Sequence, residues 1–319
     1  METQNLKVIA RREVAHSIIE WTLADPTGRL LPGCRAGAHI DVYVTPGVVR
    51  AYSLVQPSGG ALTPSYVIAV ALDPKSRGGS AYLHQHLRAG DSLQVGLPRN
   101  HFPLADSDAP ALFVAGGIGV TPLLAMARER AASGRTVRMV FAARSRAHAA
   151  YLQELQSISG ELITHFDAEH GGRPLDVPAL FRGLDRATHI YCCGPQPLMD
   201  AVRECARSGS HPQSHLHFES FTGAAALAEG DHGFVIRLSS SGREIEVPPD
   251  QSILDALENA GVIVPSVCHE GNCGTCECTV LEGEVDHRDQ ILSDDERLAN
   301  RSMMICVSRA RGERLVLEL

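Results

Sequence analysis

The chain has 319 residues, 44% hydrophobic and 21% charged, without a low-complexity tract or internal repeat, a composition that fits a globular protein of two or three domains. Its net charge of −8 sits entirely in the last 88 residues, where 16 Asp and Glu face 8 Lys and Arg from residue 232 onward. That balance disfavours nucleic acid, which calls for a basic face, and suits steering toward a basic patch on a protein partner; an ordinary solvated acidic surface reads the same way.

The opening "METQNLKVIA" has no basic stretch followed by an apolar run, so a cytoplasmic location is expected. Nine cysteines there point to metal or redox chemistry ahead of structural disulfides.

Residues 1–104 read as all-β: "HIDVYVT", "VRAYSLV" and "SYVIAVAL" carry β-branched and aromatic residues between Gly and Pro breaks. In "RAYSL", residues 50–54, alternation puts Arg50 and Tyr52 on one side of a strand and Ser53 on the other, although the pentapeptide alone would suit any strand. In "DPKSRGGSAYLHQHL", Gly78, Gly79 and Ser80 open a helix whose N-terminus, with Arg77 beside it, suits a phosphate. His84 and His86 fall on different faces of that helix and read as structural or solvent residues. The histidines of the chain form no metal-binding spacing.

Residues 105–222 change rhythm, alternating strands such as "TVRMVFAA" with helical segments, the pattern of a parallel sheet wrapped by helices. "APALFVAGGIGVTPLLAMA", residues 109–127, is uncharged and nearly long enough to span a bilayer, but its central Gly and Pro positions cut it into a buried strand, a turn and a helix. Gly116, Gly117 and Gly119 permit close backbone approach, Thr121 is placed to cap the helix, and Pro122 suits its first position. The helix start offers free N–H groups to a pyrophosphate, though the motif is not G-x-G-x-x-G and is weak alone. A second strand, turn and helix, "YCCGPQPLMDAV", supports it from the same sheet. Arg144 and Arg146, in "AARSRAHAAYL", follow a strand where such folds meet the adenosine ribose; they either pair with a 2′-phosphate or are plain surface charge. "HFESF" closes the segment with Phe218, Glu219 and Phe221.

Small and polar residues 223–231 read as a linker, and residues 232–319 as a short mixed domain with a hairpin, a helix ended by Gly261 and a cysteine loop. Cys268, Cys273 and Cys276, then Cys306, follow the plant-type C-x4-C-x2-C…C spacing of a [2Fe-2S] cluster. Gly271 and Gly274 let the backbone wrap the sulfurs closely. Zinc would call for a second close cysteine pair. Cys278 reads as a packing residue with a minor claim to be a ligand, and Cys34, Cys192 and Cys205 as packing residues.

"CHEGNCGTCECTVLEGEVDHRDQILSDDER" followed by "ICVSRA" resembles the C-terminal ferredoxin domain of the phthalate dioxygenase reductase and vanillate O-demethylase reductase family, and the resemblance extends over the rest of the chain. It implies an antiparallel flavin-binding β-barrel, a parallel α/β nucleotide-binding domain and a C-terminal β-grasp [2Fe-2S] domain. In the wider ferredoxin-NADP reductase superfamily, Arg-x-Tyr-Ser gives Arg50 a flavin phosphate, stacks Tyr52 on the ring system and sets Ser53 by the reactive nitrogen, with Ala51 between them. The Cys-Gly-Pro turn makes Cys193, Gly194 and Pro195 contacts of the nicotinamide; a core thiol at a strand end is the alternative for Cys193. Phe218 and Phe221 either cover the flavin or pack between domains.

A donor of electron pairs feeding a one-electron centre needs a flavin between them. No segment demands an adenylate, so FMN is expected before FAD, and NADH before NADPH by resemblance. The implied partner is a Rieske-type terminal oxygenase acting on an aromatic compound, with a monomer as the default state. The alternatives are a reductase for another oxygenase, such as a carnitine-type monooxygenase, and an iron-sulfur redox sensor.

Overall fold

The structure, a computed structural model, describes residues 2–45, 48–74, 78–221, 228, 230–266, 271, 274–289 and 291–319, apart from the side chain of residue 213. The chain divides into two compact units, Met1–Phe221 and Thr222–Leu319. Among the described residues no helix is long and apolar enough to cross a membrane.

The first unit opens with strands β1 (Thr3–Ala15), β2 (Ile18–Ala24), β3 (Ala38–Thr45), β4 (Val48–Ser53) and β5 (Ser65–Ala71). Helix α1 (Gly79–Gln85) and strands β6 (Ser92–Gly96) and β7 (Arg99–Asn100) follow. They form an antiparallel sheet in the order β4-β3-β6-β1-β2-β5, with β7 on β3. Leu54, just past β4, bridges Ile68 on β5, so the two edges meet and the sheet curls into a barrel. Alternation drives it: Leu6 and Val8 of β1, Trp21 and Leu23 of β2 and Ile40 and Val42 of β3 are buried in one core.

The rest of this unit alternates strand and helix: β8 (Ala111–Gly116), α2 (Val120–Ala132), β9 (Arg138–Ala143), α3 (Leu152–Ile158) and β10 (Glu161–Phe166). Then come α4 (Val177–Phe181), β11 (His189–Cys193), α5 (Gln196–Ser208) and β12 (Leu216–Glu219). The five strands pair in parallel in the order β10-β9-β8-β11-β12. Every residue of β8 is buried, as a central strand covered on both faces requires, which explains the uncharged run in the sequence.

Barrel and parallel sheet share one core, in which Ile18, Val55 and Val67 pack with Phe113, Leu124 and Phe141. Polar ties cross the same seam. The Tyr151 hydroxyl donates to Glu20 Oε2 at 2.9 Å, the Ala36 amide donates to Glu129 at 2.9 Å, and the Arg128 guanidinium donates to the Val55 carbonyl.

The second unit comprises β13 (Phe234–Leu238), β14 (Glu244–Val247), α6 (Ile253–Asn259), β15 (Glu277–Glu282) and β16 (Val285–Asp286). It ends with α7 (Asp294–Ala299), β17 (Ser302–Met304), β18 (Arg309–Ala310) and β19 (Arg314–Leu317). The main sheet runs β14-β13-β19-β15-β17, with β13 parallel to β19, the mixed order of a β-grasp. Helix α6 starts in a capping box between Ser252 and Asp255 and buries Ile253, Leu254 and Leu257.

Asp231, which composition places at the end of the linker, is tied into this unit. Arg288 grips its carboxylate with two bonds of 2.6 and 2.8 Å. The buried Arg309 lies 3.5 Å from the same group, stacks 5.0 Å above Phe234, and donates to the carbonyls of His232 and Pro248. Asp231 is thereby held well below the usual carboxylate range, the Arg288 bonds being the largest cause.

Candidate functional site

In the parallel sheet the chain leaves β8 toward β9 on one side and β11 toward β12 on the other. The carboxyl ends of β8 and β11 therefore flank a topological switch point, where open α/β sheets take their ligands. The two turns there meet backbone to backbone. A Cβ on Gly119 would lie 2.2 Å from the Cys193 carbonyl oxygen, and one on Gly194 would lie 2.8 Å from Gly116 Cα. Gly117 takes the left-handed conformation at φ 56°. Pro195 is exposed beside them and caps α5.

The cap expected at Thr121 is not formed. Helix α2 begins two residues earlier, at Val120, with Gly119 at the cap position, and the Thr121 hydroxyl is buried and donates to the Ile118 carbonyl at 3.0 Å. The last amide N–H groups of the turn therefore face no side-chain cap.

Cys193 and Glu219 share the face of the parallel sheet turned to the barrel, and Ser53, at the end of β4, lies by Glu219. Cys193 is fully buried opposite Glu219 in the register of β11 and β12, and burial first, then Glu219, pushes its thiol well up. Glu219 keeps some surface along its stem, but Oε2 is buried without a hydrogen-bond partner, as is the Ser53 hydroxyl. Burial pushes the Glu219 carboxyl up to about 8, with the Ser53 hydroxyl working the other way.

Alternation also separates residues that the sequence had grouped. Phe218 points to the opposite face, toward α5, where the Arg203 guanidinium lies 4.3 Å above its ring. It does not cover the face that holds Cys193 and Glu219. Phe221, two residues past the strand, is exposed at the end of the unit.

In the barrel, Arg50 is half-buried and Ala51 exposed, and Tyr52 packs at the edge of the core. Helix α1 comes so close to Arg50 that a Cβ on Gly79 would sit 2.8 Å from Arg50 Cγ. Gly78 stands at the cap position with φ 93°, and the Ser80 hydroxyl accepts from the Asp73 amide. Arg50 and the opening of α1 thus form one corner. Arg77 lies outside the described residues.

Arg144 is exposed past the end of β9, while Arg146 forms a forked pair with Glu169, 3.2 and 3.3 Å long. Sequence reading missed Glu169; its one signal is the acidic "DAEH" that directly follows β10. It also missed an aromatic stack along the barrel-facing side of β11 and β12. The ring of His189 lies 4.3 Å from His215 and 5.3 Å from His217, and His217 lies 4.3 Å from Tyr191. Burial, with His189 and His215 nearby, lowers His217 to about 4.

In the second unit Cys276 and Cys306 are both buried, and the Ile305 amide donates to the Cys276 carbonyl at 3.3 Å, which ties the two cysteine segments together. Cys268 and Cys273 lie outside the described residues. Gly271 carries φ 71° and presses so close to the body that a Cβ would meet Val307 at 2.6 Å. Cys278 packs in the core, and burial pushes its thiol up to about 12, as a structural thiol requires.

Residues 236–311 match the 2Fe-2S iron-sulfur cluster binding domain, and residues 113–204 match the oxidoreductase NAD-binding domain. Phthalate dioxygenase reductase of Burkholderia cepacia is 41% identical over 317 residues, covering 98% of this chain and 97% of its own. The chain belongs to the phthalate dioxygenase reductase family. The carnitine monooxygenase reductase subunit of Acinetobacter baumannii is 38% identical over 314 residues, with 98% and 97% covered. A solved phthalate dioxygenase reductase, a modular structure for electron transfer from pyridine nucleotides to [2Fe-2S], superposes with a TM-score of 0.74 at 40% identity, covering 99% of this chain and 98% of that one.

The chain is accordingly an electron-transfer oxidoreductase that uses a nicotinamide nucleotide, FMN and a [2Fe-2S] cluster. Its residues fit these groups. The buried, unpartnered Ser53 hydroxyl and Glu219 Oε2 suit the polar edges of a flavin and a nicotinamide. The Arg50 corner suits a flavin phosphate, and two buried cysteines on joined segments suit a cluster.

Proposed function

We propose that the chain is the NADH-dependent reductase component of a Rieske-type oxygenase system acting on an aromatic compound, and works as a cytoplasmic monomer. The observation that carries the reading is the pairing of Cys193 with Glu219 at the ends of β11 and β12, with Ser53 of the barrel beside Glu219, in a chain that also holds a plant-type cysteine loop. Bound there, FMN would turn the electron pair of NADH into single-electron steps for the cluster. Arg50, with Gly78, Gly79 and Ser80 at the start of α1 and Arg77 beside them, would hold the flavin phosphate, and Tyr52 and Ala51 would border its ring. Gly116, Gly117, Gly119 and Thr121, with Gly194 and Pro195, would give NADH a backbone cradle. Cys193 and Ser53 would position the reacting ends, and Glu219 would keep a proton between them. Phe221 is the aromatic left to shield the flavin. Cys268, Cys273, Cys276 and Cys306 would hold the cluster.

The test is an anaerobic titration of the coloured holoprotein with NADH, followed by visible absorption and low-temperature EPR. Flavin bleaching together with a rhombic reduced [2Fe-2S] signal is expected; bleaching without that signal would remove the cluster assignment. A second reading, an oxygenase that acts on a quaternary ammonium compound, is favoured by the 38% identity to the carnitine monooxygenase reductase subunit. Reconstitution with one purified oxygenase of each kind, scored by product formed per NADH consumed, separates the two.

A further inference from the structure

The ends of β9 and β10 are paired, Ala143 with Phe166, and each strand runs into a 3-10 turn; three positions past the paired ends stand Arg146 and Glu169, the latter following Asp167 in its turn. The Ala168 amide donates to the Arg144 carbonyl at 3.0 Å and locks the two turns together. Across them the Arg146 guanidinium presents Nε and Nη2 to the two Glu169 oxygens at 3.2 and 3.3 Å. It also lies 4.7 Å above the Phe166 ring.

From this we infer that Glu169 is the residue that makes the chain choose NADH over NADPH, acting through Arg146. The inference rests on the NADH reading above. With the nicotinamide at the ends of β8 and β11, the adenosine ribose extends over the end of the next strand, β9. A 2′-phosphate there would need a free guanidinium fork. The fork of Arg146 is already filled by a carboxylate, and the ring beneath it opposes its turning away. The phosphate would also meet the negative charge of Glu169. A ribose hydroxyl meets neither obstacle, since it can donate to the carboxylate without displacing it. Glu169 is thus a positioning residue whose removal exposes a phosphate-binding arginine already in place.

The experiment compares the wild-type holoprotein with Glu169→Gln and with the double variant Glu169→Gln/Arg146→Gln, each checked for unchanged flavin and cluster absorption. Calorimetry measures binding of 2′,5′-ADP and 5′-AMP, and stopped-flow flavin bleaching at low ionic strength compares NADPH with NADH. In Glu169→Gln, 2′,5′-ADP is expected to bind about tenfold more tightly relative to 5′-AMP. The NADPH-to-NADH ratio of kcat/KM is expected to rise by about the same factor, through KM rather than kcat. The double variant is expected to lose the gain. A wild type that prefers NADH and a single variant that binds 2′,5′-ADP no better, or a gain that survives loss of Arg146, overturns the inference and leaves the NADH reading standing. A wild type that uses NADPH as well as NADH overturns both.

Discussion

Burial pushes the Glu219 carboxyl from an ordinary value of 4.5 up to about 8, and two consequences follow. The flavin-reduction rate should fall as pH rises through about 8, where the carboxyl loses the proton it can donate. In Glu219→Gln, which cannot ionise, the rate should be flat from pH 6 to 9; an unchanged inflection in stopped-flow traces would assign it to another group. Stability carries the opposite sign from a salt-bridged carboxylate. The unfolded chain gives up its proton first, so stability is lost as pH rises between the two values. The Gln variant should therefore melt higher than wild type at pH 8 by about 2 kcal/mol, a figure reduced for the surface the residue retains, with the difference vanishing near pH 4. The sequence named Glu219 but not its protonation, because the burial that sets it comes from the barrel, far away in the chain.

The glycine turns make the same point for whole elements. A methyl group on Gly119 would collide with the Cys193 carbonyl, which is backbone and has no rotamer to change. Gly119→Ala should cost about 3 kcal/mol or more in thermal unfolding and abolish NADH-driven bleaching, whereas Gly134→Ala, in open space, should leave bleaching intact. The second unit has a comparable dependence at its entrance. Asp231→Asn would leave the buried Arg309 and the clamped Arg288 without their shared carboxylate and should lower the melting free energy of that unit by about 2 kcal/mol, read by loss of the cluster's visible band on heating.

Strands β3, β4, β5, β8, β9 and β11 and helices α2, α5 and α6 were legible because alternation, apolar runs and glycine or proline stops are local signals. The start of α2 was misread by two residues because Thr121 has the chemistry of a cap, while its hydroxyl is taken by Ile118 inside the turn. Phe218 was grouped with Glu219 because neighbours in "HFESF" share a segment, yet a strand sends them to opposite faces. Arg146 was legible as a cation and Glu169 was not, since their pairing depends on the register of β9 with β10.

At the scale of the molecule, charge is divided unevenly between the two units. Residues 1–231 are balanced, and the ferredoxin module from residue 232 carries the excess of 16 acidic over 8 basic residues. Short α7 concentrates part of it, with Asp294, Asp295 and Glu296 in its first turn, a placement that also favours the helix start. A field of that kind speeds encounter with a basic face and is screened once the Debye length shrinks from about 8 Å at physiological salt to about 3 Å at 1 M. NADH reaches the other unit, Met1–Phe221, where 21 basic residues face 19 acidic ones. Electron delivery from the reduced holoprotein to its oxygenase should therefore slow by about tenfold between roughly 0.05 and 0.5 M NaCl, while flavin bleaching by NADH changes far less. Neutralising Asp294 and Asp295 together should flatten the first dependence without moving the second. Equal salt sensitivity of both steps would place the recognition somewhere other than the acidic module.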